Sequence, residues 1–446
     1  MLVPVSESSA IAASPDELAP SAQRVGATEL RTVQPASSEF RRWLDIVADA
    51  YPIMKLSTAE QRDARWEEER KLAPRQPEQR VVGAFRDGVL VGGMRLYDLR
   101  MCVRGAQVFS GGVGSVAVGL AHKRHGIARD LVRGFLLEYR ERGAAMAVLY
   151  AFRPNFYGKL GFGHGAKLNQ YAVPLTTLPD DGLRERVRAL GPPDAEAFLE
   201  TYNRVQARTN GLLRRERWRA ELRLEQPQFR SFGFFDGATL AGYLSVEFRL
   251  GKSDTMNRND LFVHELIYET PAALRALLAF ARSQSDQFAK LIVNTQDPDF
   301  HFSLDDPRDG SDRSLFPPVY HTTNTQGLGP MYRAVDGAAL LQALGGCRFG
   351  DLDAVVRIAL ADPFFAPLAG TRAVRFEQGQ PAAVDASTPA DVDLAIDVAD
   401  FSALVMGSVR LRSLVAYGRA VLSKPDWLRR LDAAFDAEPP QCLTRF

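Results

Sequence analysis

The sequence predicts an α+β protein built from three units, and three observations carry that prediction. The chain has 446 residues, about three times the ~150 residues of one domain. Short apolar runs bounded by Gly, Pro and Asp come as an antiparallel meander and are followed by apolar stripes at helical spacing, which reads as mixed sheets flanked by helices. The order of elements in the first third of the chain is then partly repeated in the second.

The first unit is expected over residues 25–180. Phe40, Trp43, Leu44 and Val47 recur at helical spacing over 39–50, and Tyr51-Pro52 stops that helix. A polar helix rich in Glu and Arg runs to about residue 74. Strands over 80–86, 89–99 and 107–118 follow, with tight turns at Asp87-Gly88 and Arg104-Gly105. Ile127, Leu131, Phe135, Leu136 and Tyr139 mark one face of a helix over 126–142. A buried strand over 144–150, a short helix over 155–160 and a strand over 170–173 complete the unit.

A Pro-, Asp- and Gly-rich linker over 178–193 leads to a second unit over 190–315. It has helices over 195–224, strands over 230–235, 240–249 and 261–268, a helix over 271–283 and a strand over 291–294. The loop-like stretch 301–329 marks the next boundary. A third unit over 325–446 carries a helix over 336–343, short strands over 355–360, 373–377 and 395–398, and apolar helices over 401–409 and 411–422.

Composition is that of a globular protein: 46% hydrophobic and 24% charged residues exclude a wholly disordered chain, a collagen-like fibre and a membrane bundle. Fifty-five Lys and Arg against 54 Asp and Glu leave +1, so no global field draws the chain onto nucleic acid or anionic lipid. Cys102, Cys347 and Cys442 are odd in number, far apart and without a CxxC pair. That argues against a disulfide framework or a structural zinc site and fits a cytoplasmic location. No stretch approaches the ~20 apolar residues that span a bilayer. Residues 1–24, rich in Ser, Ala and Pro and without the regions of a signal peptide, are expected to be a disordered tail.

The strongest local signal for chemistry runs from Gly114 to Ala128. A strand ends, a short basic loop follows, and Gly126 opens an amphipathic helix, so backbone N–H groups and the positive end of a helix dipole converge where phosphate oxygens bind well. Lys123 and Arg124 add counter-charge, and Gly126 allows close backbone approach. The spacing Lys123-x-x-Gly126-x-Ala128 after Val116-Ala117-Val118 resembles the acetyl-CoA signature Arg/Gln-x-x-Gly-x-Gly/Ala of the GNAT N-acetyltransferases, with Lys replacing Arg or Gln. A second match is Asn155-Phe156-Tyr157-Gly158-Lys159-Leu160-Gly161-Phe162, where GNAT enzymes carry a tyrosine followed by Gly-Phe.

The resemblance implies acetyl-CoA as co-substrate, held by Val116, Ala117, Val118, Lys123, Arg124, His125, Gly126, Ile127 and Ala128. A strand amide would polarise the thioester carbonyl. Tyr157 would protonate the departing thiolate, and a phenol of pKa ~10 suits a thiolate of pKa ~8.5. Phe156 and Phe162 read as core aromatics. His122 and His125 lie three apart, but Lys123 and Arg124 between them repel a cation, so no metal is expected.

In the second unit the corresponding position reads Glu269-Thr270-Pro271-Ala272. Thr270 and Pro271 make a good helix start, but the carboxylate would repel pyrophosphate, so this unit reads as a degenerate GNAT-like domain without cofactor. Two GNAT-like units followed by a third that ends in Phe446 resemble the Eis (enhanced intracellular survival) family of acetyltransferases. That resemblance implies a sterol-carrier-protein-like third domain, a homo-hexamer, and direct acetyl transfer to an amine, whether an aminoglycoside, another small amine or a peptide lysine. It also implies the C-terminal carboxylate of Phe446 as general base. An ammonium of pKa ~10.4 costs about 4.6 kcal/mol to deprotonate at pH 7, so a proton acceptor is needed.

Where aminoglycoside-modifying relatives have an acidic penultimate residue, this chain has Arg445. A cation there disfavours polyamines and either welcomes an anionic group on the acceptor or pairs with an internal acid. Phe40, Trp43, Ser115 and Arg445 are the candidate lining of the acceptor pocket. The competing reading is a non-catalytic lipid- or protein-binding scaffold with a vestigial GNAT unit.

Overall fold

The computed structural model describes residues 23–250, 259–311, 313–316, 318–444 and 446. Most of the tail expected over 1–24 and the whole of Arg445 lie outside the described residues. Two bodies divide the chain, residues 1–97 with 113–137, and residues 98–112 with 138–446.

In the first body β1 (Gln23–Val25), β2 (Thr28–Val33), β3 (Gln79–Arg86) and the opening of β4 (Val89–Val103) pair antiparallel in sequence order. Asp87 and Gly88, at φ 49° and 75°, provide the two left-handed residues that a type I′ hairpin turn needs. Helix α1 (Ser38–Ala50) starts where the Ser37 hydroxyl accepts the Phe40 N–H. Its apolar stripe, Phe40, Trp43, Leu44 and Val47, packs on Val33, Val81, Phe85 and Leu90 of the sheet. Helix α2 (Ala59–Leu72) opens with a Thr58–Gln61 capping box. The end of β5 (Ala106–Val118) and the start of α3 (Ile127–Glu141) complete this body.

In the second body the chain runs through β6 (Met146–Leu149), α4 (Pro154–Gly158), β7 (Gly163–His164), β8 (Leu168–Pro174), β9 (Val187–Leu190), α5 (Ala195–Gln206) and α6 (Arg217–Glu225). It continues through β10 (Phe229–Asp236), β11 (Thr239–Arg249), β12 (Asn259–Tyr268), α7 (Pro271–Arg282), β13 (Phe288–Thr295), β14 (Ser314–Phe316), β15 (Val319–His321), β16 (Asn324–Gly327) and β17 (Met331–Ala334). Residues 110–112 of β5 pair parallel with β6. Strands β16-β8-β13-β12-β11-β10-β9 form a seven-stranded sheet, antiparallel except where α7 crosses over between β12 and β13. The remainder is a five-stranded sheet, Gln380–Val384, Gly370–Glu377, Ala354–Ala361, Val392–Asp397 and Ala420–Leu422 in spatial order, with four short helices.

Two strands depart from the order read off the sequence. The strand expected to close the first unit, now β8, pairs with β13, because Tyr171 and Val173 on its inward face are buried with Leu291 and Val293 in the core under α7. The place beside β6 is taken by β17, which runs antiparallel to both β6 and β7. Alternation of apolar residues shows that a strand exists and which face is buried. It does not show the partner.

Strand β17 carries a fully buried guanidinium. Arg333 Nη1 donates to the Leu160 carbonyl at 2.7 Å, and Nη2 pairs with Asp362. The second carboxylate oxygen of Asp362 accepts the N–H groups of Phe364 and Phe365 at 3.2 and 2.9 Å. Gly161 lies at φ 82° and a Cβ there would stand 1.5 Å from Arg333 Nη1, so only glycine fits. Among the described residues no helix is long and apolar enough to cross a membrane.

Breaking a buried pair from one side leaves an uncompensated charge, at a cost of about 3–5 kcal/mol. Asp362→Ala is therefore expected to lower the urea midpoint strongly, while the double variant Arg333→Met/Asp362→Leu recovers most of the loss. An Asp362→Ala protein with the parental midpoint would contradict this account.

Candidate active site

The phosphate-loop residues lie in the first body. Near the end of β5, Ser115 adopts φ 48°, a left-handed conformation that is strained for a non-glycine residue within a strand. The carbonyl of the next residue, Val116, accepts the Tyr51 hydroxyl at 2.9 Å. Burial pushes the Tyr51 phenol up to about 12, so it stays protonated as a donor at neutral pH. The Gly119 N–H is taken by the Val91 carbonyl. One 3-10 turn (Leu120–His122) follows, and then Arg124 at φ 65° and Gly126 at φ 81° fold the loop back onto the start of α3.

Lys123, Arg124 and His125 are exposed, whereas Ile127 is buried and anchors the helix. Arg86 steadies the loop by donating to the His125 carbonyl at 2.9 Å. The first amides of a helix thus sit beside two basic side chains, an arrangement suited to a polyphosphate. At Gly92 a Cβ would meet the Ala117 carbonyl at 2.8 Å, the Ile127 side chain at 3.3 Å and the Val118 backbone at 3.4 Å, so the end of β5 and the start of α3 both pack against β4 there.

Phe40 and Trp43 are buried in the core of the first body. Their rings meet edge to face at 5.2 Å within the core of the first body. The helical spacing that made them conspicuous is the spacing that buries them. Arg445, the fourth candidate, lies outside the described residues.

Tyr157 lies in the second body, on α4, whose first residue is Pro154. It is buried and edge-on to Phe156 at 5.1 Å and Phe162 at 6.0 Å. The Phe162 N–H closes the turn onto the Tyr157 carbonyl at 3.1 Å. At the start of α7, Thr270 caps the Ala273 N–H. Glu269 is held by the Arg204 guanidinium at 2.8 and 3.0 Å, so this helix start keeps a carboxylate of its own.

The end of the chain is seated in the same body. The Gln441 N–H donates to the Asn210 carbonyl at 2.7 Å and the Cys442 N–H to the Gln296 side chain. Leu443 packs against the core cluster that contains Phe198, Tyr202 and Tyr243. The Thr444 hydroxyl lies 3.3 Å from the Tyr202 hydroxyl, and the Thr444 carbonyl accepts the Tyr150 hydroxyl at 3.0 Å. The ring of Phe446 stands 5.3 Å from that of Tyr150. Part of the Tyr150 ring is open to solvent, but burial of its hydroxyl, followed by the neighbouring Cys442, raises its pKa well above the ordinary value. Tyr150 therefore serves as a hydrogen-bond donor to the tail.

Tyr150 and residues 442–444 border a cavity of about 380 Å³. It is also lined by Arg215, by Trp218, Arg219 and Arg223 of α6, and by Glu265 of β12. Arg215 grips Glu265 with both guanidinium nitrogens at 2.9 Å, and the pair is buried. Burial opposes both charges, but each partner outweighs it: the Arg215 pKa goes up and the Glu265 pKa goes down. The Tyr243 hydroxyl donates to Glu265 at 3.0 Å, and the Tyr202 ring covers the Arg215 guanidinium at 3.6 Å.

Sequence reading missed this wall. Its signal was Arg219 and Arg223, four residues apart on one face of α6, with Arg215 just before the helix. Tyr157 and Phe446 are not lining residues of the cavity. A second cavity, about 250 Å³ and apolar, lies among Leu340, Leu344, Ile358, Leu360, Phe376 and Phe435.

Comparison with known proteins matches three segments of the chain. Residues 29–165 and 211–325 each match acetyltransferase (GNAT) domains, and residues 340–443 match the sterol carrier protein domain. The chain is similar to an uncharacterized N-acetyltransferase of Streptomyces avermitilis, 29% identical over 76% of this chain and 82% of that protein. It is also similar to N-acetyltransferase Eis of Mycobacterium tuberculosis, 26% identical over 80% of this chain and 86% of that protein. Among solved structures it shares the fold of a GCN5-related N-acetyltransferase from Kribbella flavida, with TM-score 0.73 and 22% identity over 95% of this chain and all of that one. It likewise shares the fold of Eis1 from Mycobacterium abscessus, with TM-score 0.71 and 20% identity over 94% of this chain and all of that one.

The seating of the tail has a chemical consequence. Cys442 is buried and burial pushes its thiol up to about 11, which leaves about one thiolate in 10³ at pH 8, against roughly one in four for a free cysteine. Iodoacetamide at pH 8 is expected to modify Cys442 at least about a hundredfold more slowly than glutathione, until urea unfolds the chain. Alkylation of native Cys442 at the free-thiol rate, read by mass spectrometry, would show that the tail is not held there.

Proposed function

We propose that this chain, an N-acetyltransferase of GNAT type homologous to the Eis enzymes, takes acetyl-CoA as donor and passes the acetyl group directly to an amine. The pyrophosphate rests on the amides of residues 123–128, with Lys123 and Arg124 as counter-charge. An amide of the strand over 116–118 polarises the thioester carbonyl. The amine nitrogen attacks that carbonyl and the C–S bond breaks. Tyr157 gives its proton to the departing thiolate, and the Phe446 carboxylate, directly or through water, takes the proton of the amine.

The observation that carries this reading is the loop itself. Arg124 and Gly126, both left-handed, fold the loop onto a helix start, beside two exposed basic side chains. The seating of the tail supports the role given to the last residue, since a frayed end could not position a base. A direct transfer without an acetyl-enzyme is favoured because Cys102, Cys347 and Cys442 are all buried, and burial raises the pKa of each, which keeps them poor nucleophiles. The reading extends, by the family resemblance, to a homo-hexamer in the cytoplasm. The apolar cavity in the sterol carrier protein domain favours an apolar ligand there as a second activity.

Tyr157→Phe is expected to lower kcat for thiol release from acetyl-CoA about 10²–10⁴-fold with little change in the KM for acetyl-CoA, and deletion of Phe446 to act in the same direction. Gly126→Val, which cannot adopt φ 81° without strain, is expected instead to raise the KM for acetyl-CoA. Unchanged turnover in the first two variants would sink the assigned roles.

A further inference from the structure

The apolar cavity of about 250 Å³ in the sterol carrier protein domain has one charged residue among those that line it, Arg372. The strand Gly370–Glu377 places it there. Arg372, Val374 and Phe376 alternate onto one face of the sheet, opposite Ile358, Val356 and Ala354 of the neighbouring strand. The other five of these residues are apolar and buried. An arginine in that row breaks the apolar pattern, and a charge on an inward face calls for a partner.

The chain supplies only part of one. Arg372 Nη1 donates to the Leu368 carbonyl at 2.7 Å, beside the 3-10 turn Ala366–Leu368. That carbonyl is its one hydrogen-bond partner among the described residues, and a guanidinium carries five N–H donors. The side chain passes over Gly337, where a Cβ would stand 3.0 Å from Arg372 Nε. Asp336, the acid next to that glycine, is committed elsewhere: Oδ1 accepts the N–H groups of Ala338 and Ala339 at 2.9 and 2.8 Å, and Oδ2 accepts Arg140 Nε at 3.0 Å.

We propose that this cavity binds a single-chain fatty carboxylate, its hydrocarbon among the apolar side chains and its carboxylate on the half-buried Arg372 guanidinium. A guanidinium fork matches a carboxylate with two parallel hydrogen bonds, whereas the hydroxyl of a sterol offers it no charge. Size points the same way. A cavity of about 150 Å³ takes one benzene ring, so about 250 Å³ has room for a chain of about ten carbons and is too small for the fused rings of a sterol. The inference rests on the reading of this cavity as a site for an apolar ligand and names the class of that ligand; it does not depend on acetyl transfer.

The test is calorimetry on the full-length protein at neutral pH with decanoate, 1-decanol and decylammonium, which match in chain length and differ in charge, and with cholesterol carried in cyclodextrin. Decanoate is expected to bind about tenfold or more tightly than decanol, with decylammonium the weakest of the three. Arg372→Leu is expected to bring decanoate down to the level of decanol while decanol still binds, which shows that the cavity has formed, and Arg372→Lys to recover part of the preference. Leu341→Trp, which fills the cavity from its lining, is expected to weaken decanoate and decanol alike.

Equal binding of decanoate and decanol, both blocked by Leu341→Trp, refutes the carboxylate site and leaves the apolar-ligand reading standing. Binding of neither refutes both. A preference for decanoate that survives Arg372→Leu, decanoate binding that Leu341→Trp leaves untouched, or tighter binding of cholesterol than of decanoate would each overturn the proposal.

Discussion

The second body depends on one buried ion pair, Arg215–Glu265. Neither charge is stable alone in that setting, since removing either ion from water costs several kcal/mol and only close geometry with further hydrogen bonds offsets it. The structure meets that condition from four sides. The two groups face each other with two matched contacts, the Tyr243 hydroxyl satisfies the carboxylate, the Tyr202 ring covers the guanidinium, and Arg223 adds a second cation. Tyr202, held by this arrangement, donates its hydroxyl to the Leu213 carbonyl and lies 3.3 Å from the Thr444 hydroxyl, from which it can accept. A single carboxylate on β12 therefore fixes the approach to α6, the wall of the cavity and the seat of the tail together.

The same body is held by contacts that cross its sequence-level subdivisions. Strand β17 lies between β6 and β7, and its Arg333 reaches both the turn after Tyr157 and Asp362. At the other end of β4 the turn residue Arg104 donates to the carbonyls of Ala434, Phe435 and Asp436 at 3.0, 3.1 and 2.9 Å. The sterol carrier protein domain is thus joined to the acetyltransferase portion within this body by the buried Arg333–Asp362 pair and the Arg104 hydrogen bonds as well as by the chain.

What could be read from the sequence was local. The stripe on α1, the Asp87-Gly88 and Arg104-Gly105 turns, the helix start at Gly126 and the aromatic turn around Tyr157 each depend on residues a few positions apart, and each is found where expected. What escaped depends on partners far along the chain. The pairing of β8 with β13 and the insertion of β17 are decided by which core has room for a given face. Trp43 was conspicuous because it is large and regularly spaced, and those properties suit a core as well as a pocket. The arginine wall was hidden by the near-neutral total, which averages over a cluster of three guanidinium groups that becomes visible only once α6 is placed against β12.

Gly161 shows how a position can serve a purpose other than the one its motif suggests. The Gly-Phe after Tyr157 looks like a signature of cofactor chemistry, yet in this chain the space at Gly161 is filled by a guanidinium from β17. Sequence variation should then follow the contact rather than the chemistry. Relatives that keep an arginine at the position of Arg333 and an acid at that of Asp362 are bound to keep the glycine, while lineages that have lost the arginine are free to drift at all three. The contact thus ties the three positions into a set that should be inherited or abandoned together.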